Sequence, residues 1–115
     1  MSQPQLIQVS VEELAEKLAN SSEPLQLVDV REPDELAIAA LPGFINLPLS
    51  QYGVWAEDIH NRLDAQQETW VLCHHGMRSA QMCQWLMGQG FSNVKNISGG
   101  IHAYAVQVDS QVPQY

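Results

Sequence analysis

Hydrophobic and polar positions follow two alternating patterns along the chain. Short apolar runs predict five β-strands, at residues 6–9, 25–30, 44–47, 69–73 and 94–97. The segments between them space apolar residues as helices do, and they predict helices from 11 to near 20–22 and over 33–39, 50–62, 79–88 and 101–106. The run at 69–73 is apolar almost throughout, which is typical of a strand covered on both faces. Strands alternating with helices predict an α/β fold, with a small, mainly parallel five-stranded sheet flanked by helices on both faces.

Short sequence signals mark where several of these helices begin. Ser10 and Glu13 have the spacing of a capping box, in which each side chain bonds the other residue's backbone N–H. Pro33 suits the first turn of the next helix because its ring presets the helical backbone angle. Ser50 is expected to cap the helix over 50–62.

Length and composition limit the class of protein. A chain of 115 residues predicts one domain over 1–115, with a core at about 5–105 and a short C-terminal tail. With 45% hydrophobic and 16% charged residues, it has the composition of a globular domain that folds without a metal or disulfides. No apolar run approaches the roughly 20 residues of a membrane helix. The first residues lack the basic and apolar regions of a signal peptide, so none is expected.

The charge balance and the cysteines limit partners and compartment. Five Lys and Arg against thirteen Asp and Glu give a net charge of −8. This argues against nucleic acid or an anionic membrane as a partner, because Lys and Arg are the residues that hold phosphate groups. There are only two cysteines, Cys73 and Cys83, whereas a small secreted protein would carry more. The expectation is two free thiols in a reducing cytoplasm.

The clearest chemical signal follows the predicted strand at 69–73. Ligands of parallel sheets bind beyond the carboxyl ends of the strands, and Cys73 stands at such an end. If Gly76 lets the next loop curl, backbone N–H groups and the start of the following helix converge on the sulfur and favour its thiolate, which is the nucleophilic form. Arg78 adds a positive charge nearby. The residues expected to form this anion-binding loop are His74, His75, Gly76, Met77, Arg78 and Ser79.

The second cysteine and a cluster of charged residues near the second strand are interpreted as structural. Cys83 falls on the apolar stripe of its helix, which favours core packing over a role as a resolving thiol. Asp29, Arg31, Glu32 and Glu35 could be read as an acid–base group. A structural role is favoured, in which their hydrogen bonds and ion pairs brace the strand end beside the loop.

The Cys73-His74-His75 sequence does not predict a metal site. Three adjacent residues cannot easily direct their side chains at one tetrahedral ion, and no second pair of ligands stands elsewhere. The two histidines are expected to form walls of the loop that shape entry, with an acid role left open. His60 and His102 carry no motif and are expected to face solvent or to be hydrogen-bonded.

Several segments together resemble the rhodanese-like family of sulfurtransferases, from about residue 5 to 105. The matching parts are an Asp-x-Arg segment over 27–35, the segment over 41–48, the loop positions Cys73, Gly76, Arg78 and Ser79, and a closing strand with a Gly-Gly turn over 90–101. Ala40 stands where the family often has His, and Tyr104 where it usually has Trp. Both departures lie outside the loop and concern neighbouring packing.

The resemblance implies a thiosulfate sulfurtransferase that works through a Cys73 persulfide. The thiolate would take sulfane sulfur from a small anionic donor such as thiosulfate and pass it to cyanide or a thiol, and no metal or organic cofactor is required. The alternatives are a persulfide carrier serving a protein donor or acceptor, a phosphatase or arsenate-reductase type of enzyme, and a non-catalytic rhodanese-like binding module. From Cys73 to Arg78 the loop has six residues, as in rhodanese-like sulfurtransferases, whereas the related phosphatases and arsenate reductases have one more. The presence of Cys73 disfavours the binding module.

Overall fold

Strands and helices alternate along the chain, as the hydropathy pattern predicts. The computed structural model describes residues 6–20 and 24–115. The strands are β1 (Ile7–Val9), β2 (Gln26–Asp29), β3 (Ile45–Asn46), β4 (Thr69–Leu72) and β5 (Val94–Ile97). The helices are α1 (Val11–Ala19), α2 (Pro33–Ile38), α3 (Tyr52–Trp55), α4 (Ile59–Arg62), α5 (Met77–Gly88) and α6 (Gly100–Gln107).

The strands form one sheet in the order β1-β5-β4-β2-β3, and every neighbouring pair is parallel. The predicted α/β class with a parallel five-stranded sheet is therefore confirmed. β4 occupies the centre, with β2 on one side and β5 on the other. The register pairs Leu72 with Asp29 and Val71 with Asn96. Asp29, Cys73 and Asn96 consequently lie close to the same carboxyl edge of the sheet.

Two cores cover the two faces of the sheet. Along β4, Val71 and the following Cys73 pack into one core, whereas Trp70 and Leu72 pack into the other. β4 contributes to both cores because successive side chains of a strand point to opposite faces of the sheet. Helices pack on each face and complete the two cores. Buried helical residues of the first core are Trp55, Ile59, Met82, Cys83 and Leu86, and those of the second are Val11, Leu14, Ile101 and Tyr104.

The segment predicted as one helix over 50–62 is instead four short turns. A 3₁₀ turn at Leu49–Gln51 precedes α3, and another at Ala56–Asp58 separates α3 from α4. Ser50 does not act as a cap, because its hydroxyl is hydrogen-bonded to the Glu32 carboxylate. The indole N–H of Trp55 donates to the carbonyl of Pro48 at 2.8 Å, and this bond ties α3 to the residue that precedes the first 3₁₀ turn. Sequence spacing alone does not reveal these tertiary contacts.

Other element ends follow their predicted signals more closely. The Ser10–Glu13 capping box is present, with Glu13 N donating to Ser10 Oγ at 3.0 Å. α1 ends at Ala19, and the part of the predicted end near 21–22 lies outside the described residues, as does the predicted core boundary at residue 5. α5 begins two residues earlier than predicted, at Met77, because Gly76 already turns the chain into the helix.

Candidate active site

Cys73 is held at the centre of the carboxyl edge of the sheet. It follows Leu72, the last residue of β4, and only 1% of it is exposed. The chain then reverses over three residues into α5, and Gly76 makes this turn with a φ of +100°. A Cβ at Gly76 would also stand 3.1 Å from the backbone nitrogen of Gly99. Glycine is thus required both for the backbone angle and for close packing.

Two polar groups surround the Cys73 sulfur. The backbone N–H of Gly76 donates to Sγ at 3.0 Å, and Oγ of Ser79 lies 3.3 Å from Sγ. α5 also begins beside the sulfur, and the positive end of a helix favours a negative charge there. The groups near Sγ are therefore a backbone donor, a hydroxyl and a helix start. A backbone N–H and the start of a helix both stabilise a negative charge placed beside them.

Ser79 is linked in turn to Asn96, which is not among the site residues predicted from the sequence. Both side chains are buried, and the Ser79 hydroxyl is hydrogen-bonded to Asn96 Oδ1. Asn96 Nδ2 donates to the carbonyl of Gly76 at 3.0 Å and to Gln8 Oε1 at 2.9 Å. These two acceptors fix the orientation of the amide, so that its oxygen faces Ser79. No motif marks Asn96, and only its place in β5 at the carboxyl edge points to it.

Arg78 forms a two-pronged ion pair with Glu35 at the N-terminal end of α2. Nη1 and Nη2 of Arg78 bond the two carboxylate oxygens at 2.8 and 2.9 Å. These hydrogen bonds lower the pKa of Glu35 to about 2. The same bonds raise the pKa of Arg78, and the charge of Cys73 adds a smaller contribution. The Arg78 side chain remains 36% exposed. Glu35 thus holds the Arg78 guanidinium in place beside the Cys73 loop.

Asp29 and Arg31 form a buried ion pair at the end of β2. Arg31 Nη2 lies 2.7 Å from Asp29 Oδ2, and the two side chains are 0% and 1% exposed. Burial opposes the charge on Arg31, but hydrogen bonds to Asp29 and to Tyr115 raise its pKa. Neither side chain bonds the Cys73 sulfur. Their partners lie within the β2 end, α2 and the C-terminal segment.

Tyr115 joins this network from the C-terminal segment, which carried no signal in the sequence. Its hydroxyl accepts from Arg31 Nη1 at 2.8 Å and donates to Glu35 Oε1 at 3.0 Å. Its ring stacks on His74, with centroids 3.9 Å apart and an interplanar angle of 3°. The end of the chain therefore packs directly against the Cys73 loop.

The first turn of α6 packs against the loop that follows Cys73, and the glycines Gly99 and Gly100 allow this close contact. The backbone N–H groups of Ile101 and His102 donate to the carbonyls of Cys73 and His74 at 2.9 and 3.0 Å. A Cβ at Gly100 would collide with those same carbonyl oxygens. The glycine pair thus lets the first turn of α6 lie directly on the loop.

This docking brings three histidines together. The rings of His74 and His75 lie 4.0 Å apart, and that of His102 lies 4.9 Å from His75 and 6.1 Å from His74. Burial, followed by the charge of His75, lowers the pKa of His74. His75 is exposed, as expected for a wall of the loop, and Met77 is 78% exposed at the start of α5. His102, expected to face solvent or to be hydrogen-bonded, is half-buried beside the rings of His74 and His75.

The second cysteine, Cys83, lies within α5 and is fully buried. Burial, together with the charge of Cys73, raises the pKa of the Cys83 thiol to about 12. Both cysteines are free thiols. Cys83 lies in the same buried core as Met82 and Leu86 of α5, in the packing position expected for it.

Comparison with known proteins finds matches over most of the chain. Residues 10–107 match the model of the rhodanese-like domain. The chain is 49% identical over 109 residues to the Rhodanese-like/PpiC domain-containing protein 12, chloroplastic, of Arabidopsis thaliana, covering 93% of this chain and 36% of that protein. It therefore spans little more than a third of that longer relative.

Shorter bacterial relatives are matched over more of their length. A sulfurtransferase of Allochromatium vinosum is 35% identical over 98 residues, covering 85% of this chain and 87% of that protein. A putative sulfur carrier protein of Bacillus subtilis, YrkF, is 33% identical over 94 residues, covering 82% of this chain and 48% of that protein. Among solved structures, a rhodanese-like domain protein from Staphylococcus aureus superposes with a TM-score of 0.74 at 29% identity, covering 86% of this chain and 91% of that one.

Proposed function

The chain belongs to the rhodanese-like domain family, and from this membership and its Cys73 loop we propose that it transfers sulfane sulfur through a persulfide on Cys73. The observation that carries the proposal is the position of the Cys73 sulfur. It lies at the end of β4 with Gly76 N–H donating to it at 3.0 Å and Ser79 Oγ at 3.3 Å. Such a pocket stabilises an anionic sulfur, which the transfer needs in both of its steps.

The first step loads the cysteine. With thiosulfate as the proposed donor, the Cys73 thiolate attacks the outer sulfur, so that a new S–S bond forms on Cys73. The S–S bond of thiosulfate breaks at the same time, and its electron pair leaves with sulfite. No external oxidant or reductant takes part, because the sulfane sulfur only changes its partner.

The second step unloads it. A nucleophilic acceptor, such as cyanide or a thiolate, attacks the outer sulfur of the persulfide. The S–S bond to Cys73 breaks, and its electron pair restores the thiolate on Cys73. The Gly76 N–H and the Ser79 hydroxyl lie beside Sγ, and they are proposed to stabilise the Cys73 thiolate that attacks in the first step and is restored in the second.

Arg78 is proposed to attract the anionic donor. Its guanidinium is fixed by the Glu35 carboxylate, which offsets part of its charge, and the Arg78 side chain remains 36% exposed at the loop. The chain as a whole carries a net charge of −8, which repels anions. Arg78 is the cationic side chain of the loop, and it is therefore proposed to favour the approach of a thiosulfate dianion to Cys73.

A persulfide carrier that exchanges sulfur with a protein is the second candidate. It is favoured by the relative named as a putative sulfur carrier, and by that plant relative in which the rhodanese-like region is one part of a longer chain. In this version the donor, the acceptor or both are protein thiols. The phosphatase and arsenate-reductase alternatives are less well supported, because the six-residue loop from Cys73 to Arg78 is shorter than theirs.

The compartment belongs to the same proposal. The chemistry needs Cys73 as a free thiolate, so a reducing compartment is proposed. No helix within residues 6–20 and 24–115 is long and apolar enough to cross a membrane. The name of the plant relative places that protein in the chloroplast, and a cytoplasmic location for this chain stays a prediction.

The experiment is intact-mass spectrometry of the reduced protein after incubation with thiosulfate. The expected result is a gain of one sulfur atom that dithiothreitol removes. The Cys73→Ser variant should gain none, whereas the Cys83→Ser variant should still be loaded. Loading of the Cys73→Ser variant would contradict the proposal. If the folded wild type gains no sulfur from thiosulfate but is loaded by a protein persulfide, the chain is the dedicated carrier.

A further inference from the structure

We propose that His74, His75 and His102 form a binding site for a divalent transition-metal ion of the Zn²⁺ class, at the mouth of the Cys73 loop. One ring nitrogen from each of the three side chains lies within 4.8 Å of the other two. The site goes beyond sulfur transfer, and nothing in the proposed mechanism requires it. The sequence disfavours a metal here, because adjacent residues cannot easily direct three side chains at one ion and no second pair of ligands stands elsewhere. The fold supplies the third ligand, from the first turn of α6.

The three rings are already close to the geometry of a metal site. In a tetrahedral zinc site with Zn–N bonds of about 2.0–2.1 Å, the ligand nitrogens stand about 3.3–3.4 Å apart. Nitrogens at most 4.8 Å apart can reach that spacing with ring shifts of about an ångström. Side-chain rotation provides such shifts without moving the backbone.

The backbone that carries the ligands is held firmly. His102 N donates to the carbonyl of His74 at 3.0 Å, so the two residues are tied together through the main chain. The ring of His74 is held on its other side by Tyr115, which stacks on it at 3.9 Å. A site whose ligands are positioned before the ion arrives loses less entropy on binding.

A second observation points to a missing partner at this place. Within the part of the chain that the structure describes, Nε2 of His74 and Nδ1 of His102 are hidden from solvent and have no hydrogen-bond partner. A buried polar nitrogen without a partner is costly, and native structures seldom leave one. In a neutral imidazole, one of the two nitrogens carries a lone pair that can bind a metal.

The donor set determines the class of ion. Three imidazole nitrogens suit zinc, copper and nickel better than magnesium or calcium, which prefer oxygen ligands. With three protein ligands, one position of a tetrahedral zinc ion stays open to water or an anion. The excess of acidic residues in the chain favours a cation at its surface.

The test is a titration of the reduced protein with Co²⁺ alone, followed by visible absorption, and then displacement of the cobalt by Zn²⁺. The wild type is expected to bind one ion per chain. His102→Ala and His75→Ala should each weaken binding at least tenfold. His60→Ala is the matched control, because His60 stacks on Phe91 away from the cluster, and its affinity should equal that of the wild type.

Three outcomes would overturn the site. These are no saturable binding by the wild type, unchanged affinity in the His102→Ala variant, and a thiolate-to-cobalt absorption band that disappears in Cys73→Ser. The last result would make Cys73 a ligand in place of the three-histidine set. His102→Gln serves as a second variant should His102→Ala fail to fold, with circular dichroism of the metal-free protein as the check. Persulfide loading is measured separately, so failure of the metal site leaves the sulfur-transfer proposal standing.

Discussion

Ser79 has one hydroxyl proton and two acceptors beside it. Its Oγ lies 3.3 Å from Cys73 Sγ and is also hydrogen-bonded to Asn96 Oδ1. With a thiol at Cys73, the S–H group can donate to Oγ while Oγ donates to Asn96. With a thiolate, the sulfur can only accept, so a hydrogen bond from Ser79 to the sulfur requires the hydroxyl proton to turn away from Asn96. The fixed amide of Asn96 therefore competes with the thiolate for the same proton, and Ser79 acts as a switchable donor.

This arrangement predicts how Ser79→Ala affects alkylation. In the wild type, iodoacetamide at neutral pH should modify Cys73 before Cys83, because burial raises the pKa of the Cys83 thiol to about 12. Ser79→Ala removes a hydrogen bond to the charged sulfur, a contact of about 1.5 kcal/mol or more, so alkylation of Cys73 should slow by roughly tenfold. Peptide mass spectrometry of time points gives both rates in one sample.

Ser98→Ala is the matched control, since Ser98 is an exposed serine near the same edge of the sheet. Its alkylation rates should be those of the wild type. Equal reactivity of the two cysteines in the wild type would refute a stabilised thiolate at Cys73. An unchanged Cys73 rate in a folded Ser79→Ala protein would remove Ser79 from the site.

At the scale of elements, the site depends on how closely α6 approaches the loop after β4. Gly100 has a φ of +63°, and a side chain there would meet the carbonyl oxygens of Cys73 and His74. The Ile101 and His102 N–H groups bond those carbonyls. A shift of α6 would therefore move the loop backbone on either side of the sulfur.

Gly100→Ala is expected to damage both stability and activity. The left-handed backbone angle costs about 1–3 kcal/mol for a residue other than glycine, and the collision adds to it. Urea denaturation should show a loss of that size or larger, together with slower persulfide loading. Gly88→Ala is the control, because a Cβ there meets nothing within 4 Å, and it should keep wild-type loading. Equal stability of the two variants would show that α6 does not pack closely against the carbonyls of Cys73 and His74.

The predictability of elements from sequence differs along the chain for physical reasons. β5 has the predicted bounds, and the capping box of α1 is present, because both depend on local hydropathy and local hydrogen bonds. The segment at 50–62 departs from its prediction because Ser50 bonds Glu32 and Trp55 bonds Pro48. Such contacts between separate parts of the chain leave no periodic signal.

The residues of the candidate site also differ in how far the sequence predicts them. Cys73, Gly76, Arg78 and Ser79 stand in one continuous segment, so their spacing alone could indicate a loop around a sulfur. Asn96, His102 and Tyr115 reach the site from β5, α6 and the C-terminal segment. Their involvement follows from the strand order and the docking of α6, which sequence patterns do not specify.

At the scale of the whole molecule, a single network joins three segments distant in sequence. Glu35 in α2 bonds Arg78 in α5 and Tyr115 in the C-terminal segment, and Arg31 after β2 bonds Tyr115 as well. The Glu35 side chain is 18% exposed, so solvent screens it only in part. Its carboxylate is the common partner, and its ionisation should therefore affect the stability of the entire fold.

The last prediction concerns the stability of the protein in acid. Hydrogen bonds from Arg78 lower the pKa of Glu35 from its ordinary 4.5 to about 2. A depressed carboxyl pKa stabilises the folded state above pH 4.5, and this contribution, at most about 3 kcal/mol, is lost as the pH falls from 4.5 toward 2. Glu35→Gln should therefore be less stable than the wild type at neutral pH, and the gap should narrow through that window. Thermal unfolding across the pH range measures it, with exposed Glu57→Gln as a control that follows the wild type. A gap that stays constant from pH 7 to pH 2 would mean that the network acts by packing, since removal of a charge would then make no pH-dependent difference.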